Sequence, residues 1–192
     1  MTVETGCSGS LVALHEACRA LSLGECQSAV VAGTSLILSP TMTKTMSANM
    51  IISPSGQCKT FDQSADGYGR GEAINALYLK RLDDACRDGD PIRAVILGAA
   101  TNSDGWKTTI SSPAESSQES LIRAAYRNAG SHDIAGTPFF ECHGTGTVTG
   151  DRVEASTIAR LTKAAGAVIG SVSSLGGEDK HIISLLIKSD QT

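Results

Sequence analysis

The sequence predicts an α/β fold with a mostly parallel sheet, and three observations carry that prediction. Apolar runs of strand length, 28–38, 92–100 and 167–172, alternate with stretches whose apolar residues recur every three or four positions. A glycine- and threonine-rich stretch, 143–150, links a strand-like run to a helix-like one, the place where sheets of this class gather ligands. The 192 residues are 41% hydrophobic with mean hydropathy near zero, enough for a packed soluble core.

The first element is a helix over 8–23. Leu11, Leu14, Cys18 and Leu21 share one face, Gly6 permits a sharp entry, Ser8 or Ser10 is a candidate cap, and Gly24 is the stop. Cys7 therefore lands at or just before a helix N-terminus, where partial positive charge favours thiolate. The run 28–38 reads as a strand buried on both faces. Met42, Met46 and Met50 recur every fourth residue, consistent with a short helix lining a pocket, though ordinary core filling is the better explanation of methionines at that spacing.

Gly67, Gly69 and Gly71 alternate but fit neither the dinucleotide fingerprint nor a phosphate loop, so they read as a tight turn where backbones approach. The stretch 73–82 fits strand or helix, 81–87 is helical, Asp88-Gly89-Asp90-Pro91 is a turn, and 92–100 is a strand. The loop 102–115 carries the single tryptophan, Trp106. Ser116 and Glu119 form a capping-box pattern before a helix with Leu121, Ile122, Ala125 and Ala129 inward, stopped at Gly130. A short strand, 138–142, delivers His143 to the Gly/Thr loop, and Asp151 and Glu154 read as the cap of the next helix.

Composition narrows the functional classes. A net charge of −4 points away from nucleic acid, and no apolar run reaches the length of a membrane span. The six cysteines contain no CxxC pair, which argues against a zinc site or disulfide framework and for a reducing, cytoplasmic setting. A lone cysteine or histidine is usually structural. Here a helix-terminal cysteine and a strand-terminal histidine share one α/β chain, which favours a Cys/His site.

These motifs carry a resemblance. Glu4-Thr5-Gly6-Cys7-Ser8-Gly9-Ser10 resembles the nucleophile motif of β-ketoacyl synthase domains of polyketide synthases, with a fungal multidomain flavour. His143-Gly144-Thr145-Gly146-Thr147, followed by Gly150-Asp151 and Glu154, is similar to the family's second motif, and the stretch 53–72 resembles its intervening loop. The resemblance runs colinearly from 4 to about 172. It implies a thiolase-like layered αβαβα sandwich, present in part: the end of the N-terminal half over 1–115 and the start of the C-terminal half over 116–192.

The resemblance also implies chemistry. Cys7 is the acyl-accepting nucleophile, its N–H contributes to an oxyanion hole, and His143 stabilises the enolate formed when malonyl extender loses CO2. Thr145 and Thr147 bind the phosphopantetheine arm of an acyl carrier protein partner, which brings that group itself, and intact members work as homodimers. The third family motif departs from pattern. After Ile169-Gly170-Ser171-Val172, Ser173 stands at the lysine position and Glu178 at the histidine position, and only an insertion lets His181 take the latter role. The sequence therefore predicts a condensing segment, with a truncated, inactive remnant as the alternative. A Cys/His hydrolase is the weaker third reading, because no orienting third residue is evident.

Overall fold

The computed structural model describes residues 1–106, 113–163 and 166–172, and the backbone of 185–188. The elements in chain order are α1 (Gly9–Ser22), β1 (Ser28–Ser35), α2 (Pro40–Ala48), β2 (Ala73–Lys80), α3 (Leu82–Asp88), β3 (Val95–Ala99), α4 (Glu115–Asn128), β4 (Phe140–Glu141), α5 (Val148–Thr162), β5 (Ile169–Gly170) and β6 (Leu185–Lys188). Helices and strands alternate as predicted, but the pairing is not mostly parallel. β1 pairs antiparallel with β2, and β3 antiparallel with β6, with an irregularity between Ile96 and Gly98. Among the described strands, β4 and β5 are the pair that runs parallel. The cause lies in the connection from β1 to β2. Ser35 faces Ala73 in the register, so the chain leaves and re-enters at the same end of the pair. A crossover helix would have returned it to the opposite end.

β1 is covered on one face only, which corrects the expectation of a strand buried on both. Val31 is 7% exposed beneath α1, whereas Val30 and its register partner Tyr78 are 70% and 64% exposed. Period-two geometry sends neighbouring side chains to opposite faces, so one apolar run yields a buried row and an open row. Ile74 extends that open row. Leu14 and Leu21 of α1 are buried as the helical spacing requires.

The second half centres on α4, which packs against β3 and α5. Leu121, Ile122, Ala125 and Tyr126 are its buried residues. Ile122 and Tyr126 cluster with Ile134 and Leu161, against which Phe140 packs, while Leu121 and Ala125 cluster with Ala100. The expected capping box does not form, because the helix starts at Glu115 after Ala114. Glu119 instead receives Arg123 and Arg160, and Glu115 also pairs with Arg160, tying α4 to α5. α2 forms at the methionine spacing, with the Ser39 hydroxyl accepting the Thr41 N–H as a cap, but none of its residues is buried. Its methionines are thus not core filler. Met42 and Met50 are exposed, and Met46 meets the Tyr68 hydroxyl. β6 was not legible as a strand in the sequence.

Candidate functional site

Cys7 stands directly before Ser8, the N-cap of α1, and is half-buried. Gly6, at φ +68°, makes the sharp entry, and the Gly9 N–H closes the turn onto the Gly6 carbonyl at 3.0 Å. No side chain caps this helix. The Ser8 hydroxyl turns back to the Thr5 carbonyl at 2.9 Å and the Thr5 hydroxyl at 2.7 Å, correcting the expected serine cap. Ser8 has helical dihedrals, so its hydroxyl is not placed to reach forward to the first-turn N–H groups. Those donors concentrate partial positive charge at the start of α1, next to Cys7.

His143 follows β4 and opens the loop that ends at Thr147, the N-cap of α5. The Thr145 and Thr147 hydroxyls lie 3.0 Å apart, and both residues are half-buried. The structure thus places three of the four predicted site residues in one loop, and the fourth, Cys7, just before the start of α1. His181, Ser173 and Glu178 lie outside the described residues.

The backbone of this loop is held from three other segments. The His143 and Gly144 N–H groups donate to the two Glu154 carboxylate oxygens at 2.7 and 2.9 Å. The His143 carbonyl accepts the Ser171 hydroxyl at 3.1 Å, and the Gly144 carbonyl accepts the Thr60 hydroxyl. Asp151 accepts the Gly146 N–H at 3.1 Å and the Phe61 N–H at 2.7 Å. The Gly67 N–H donates to the Gly146 carbonyl at 2.9 Å. Gly146 sits at φ +70°, and a Cβ there would lie 2.9 Å from both the Gly67 oxygen and the Lys59 nitrogen. On the other side of the turn, a Cβ on Gly69 would strike the Gly56 carbonyl. The alternating glycines are thus a close backbone crossing that presses the 58–69 loop against the His/Thr loop.

Asp151 and Glu154 are each 5% exposed, and neither forms an ion pair among the described residues. Burial pushes the Glu154 carboxyl up to about 7, against the lowering pull of the Gly144 and His143 N–H groups. Burial likewise raises Asp151 despite its backbone donors. The neighbouring Cys142 thiol is pushed up to about 12, first by burial and then by the charges of Glu154 and Glu141. The sequence pattern suggests a helix cap for the two carboxylates, whereas in the structure they hold the backbone of the His143–Thr147 loop. The available signal was two acids three apart, on one helix face, immediately after a glycine-rich turn full of N–H donors.

The family profile for the β-ketoacyl synthase N-terminal domain matches residues 1–85, and that for its C-terminal domain matches residues 93–180. The chain belongs to the β-ketoacyl synthase family. It is 54% identical over 172 residues to the highly reducing polyketide synthase VdtX of Byssochlamys spectabilis, and 57% identical over 160 residues to the highly reducing polyketide synthase ALT1 of Alternaria alternata. Those alignments cover 90% and 83% of this chain but only 8% and 6% of the relatives. Among solved structures, the ketosynthase from module 6 of the Bacillus subtilis bacillaene synthase superposes with a TM-score of 0.84 at 40% identity, over 90% of this chain and 32% of that one. The oxazolomycin ketosynthase domain OzmH KS7 of Streptomyces albus gives 0.85 at 36% identity, over 91% and 31%. The chain therefore has the thiolase-like ketosynthase fold, in part, and spans about a third of the solved ketosynthase chains. Among its described residues no helix is long and apolar enough to cross a membrane.

Proposed function

We propose that this chain is a condensing segment of a polyketide synthase ketosynthase, acting in the cytoplasm on thioesters presented by an acyl carrier protein, within a homodimeric assembly. The Cys7 thiolate attacks the acyl thioester carbonyl, forming the acyl-cysteine and releasing the phosphopantetheine thiol. The malonyl extender then loses CO2, and the electron pair of the broken C–C bond becomes an enolate. His143 stabilises the enolate oxygen. The enolate carbon attacks the acyl-Cys7 carbonyl, and the cysteine thiolate leaves with the β-ketoacyl product formed. Thr145 and Thr147 bond the phosphopantetheine arm, which the carrier protein supplies, so the segment itself requires no metal or redox group.

The observation that carries this reading is the placement of the two family motifs. Cys7 precedes the start of α1, and His143 leaves β4 in a loop whose backbone is held on every side. The test is mass spectrometry of the chain incubated with acyl- and malonyl-loaded carrier protein. An acyl adduct on Cys7 that disappears in Cys7→Ala supports the reading, and β-ketoacyl product extends it to full condensation. A folded chain that takes no acyl group at Cys7 overturns it and favours the inactive remnant.

A further inference from the structure

We propose that Glu154 is a positioning residue for His143, fixing from α5 the backbone turn that carries the imidazole. The proposal rests on the reading of His143 as the enolate-stabilising group and adds to it the element that sets its geometry.

The hydrogen bonds make the case. Glu154 spans two consecutive peptide N–H groups, those of His143 and Gly144, with one oxygen for each. Neighbouring backbone groups of this turn have other partners: the His143 carbonyl accepts from Ser171, the Gly144 carbonyl from Thr60, and the Gly146 N–H donates to Asp151. At 5% exposure of Glu154, water does not cheaply replace these two bonds. A buried carboxylate that forms no ion pair among the described residues is costly, and the two N–H groups it holds offset that cost. Asp151, one turn earlier on the same helix, does a different job, joining the Gly146 N–H to the Phe61 N–H of the 58–69 loop. The division is specific: Glu154 sets the residue that bears the imidazole, and Asp151 sets the loop that buttresses it.

The charge environment follows from the same packing. Among the described residues, the titratable groups facing Glu154 are Asp151 on its own helix and Cys142 just after β4, together with His143 itself, and none of these is a permanent cation. Protonating Glu154 turns one of its oxygens into a donor that faces an N–H donor, which weakens its hold on the turn.

The test is carried out on the full chain by following backbone amide resonances from pH 5 to 9. The His143 and Gly144 amides should share one titration step. That step should persist in His143→Asn, which removes the imidazole as its source, and vanish in Glu154→Gln. In the reaction, Glu154→Gln should slow decarboxylation of a malonyl thioester by up to about 100-fold, the cost of a misplaced group, while Cys7 acylation keeps its rate. Equal loss of both steps would show a general structural role and overturn the proposal, as would amide titrations unchanged by Glu154→Gln. Should Glu154→Gln not fold, the wild-type and His143→Asn titrations decide alone, since absence of a shared step refutes the contact. A wild-type chain that neither acylates nor decarboxylates sinks the functional reading, while the amide titration still decides the role of Glu154.

Discussion

The buried carboxyl of Glu154 makes stability depend on pH with a sign opposite to that of most acids. Its folded value is about 7 against an ordinary 4.5, so the native chain holds a proton that the unfolded chain has released. Between those values the native state binds more protons, and stability falls as pH rises. The contribution is fully present below the unfolded value and fully lost above the folded one. At about 1.4 kcal/mol per pKa unit, the shift from 4.5 to about 7 corresponds to about 3 kcal/mol lost between pH 4 and 8. Glu154→Gln removes the titration while keeping the shape. Urea unfolding of both proteins across this range isolates the effect, because Asp151 and the other groups contribute to both curves. The difference between the curves should move by about 3 kcal/mol in favour of the variant as pH rises. A flat difference would show that burial does not raise this carboxyl and would refute the reasoning.

Two further outcomes are expected. Iodoacetamide at neutral pH should label Cys7 about tenfold faster than the exposed Cys86, with Cys142 slowest because its thiol is pushed up to about 12; labelling of Cys7 at the same rate as Cys86 in the folded chain would show that the start of α1 does not activate it. Replacing Val30 and Tyr78 together by threonine should reduce concentration-dependent light scattering while shifting stability by no more than about 0.5 kcal/mol per site, since both side chains lie on the open face of the β1–β2 pair; unchanged association would place the sticky surface elsewhere.

The sequence by itself determined the local elements that have local causes. α1 follows from the spacing of Leu14 and Leu21 and its stop at Gly24, which takes φ +72°. α4 follows from Leu121, Ile122 and Ala125, and α3 ends at Gly89 in the left-handed region as the Asp-Gly-Asp-Pro turn implies. The two motifs also located Cys7 before a helix and His143 after a strand, because turn glycines, strand ends and helix starts are written in neighbouring residues. Tertiary structure alone decided what depends on partners distant in the chain. The direction of β2 against β1 is set by where the intervening 36–72 segment re-enters, which no periodicity encodes. Glu119 exchanges a cap for Arg160 because α5 lies beside α4. Asp151 and Glu154 grip the loop rather than the helix end for the same kind of reason. Unpaired N–H groups in a buried turn draw in the nearest acceptors, and folding brings those carboxylates, with Ser171 and Thr60, around the histidine turn.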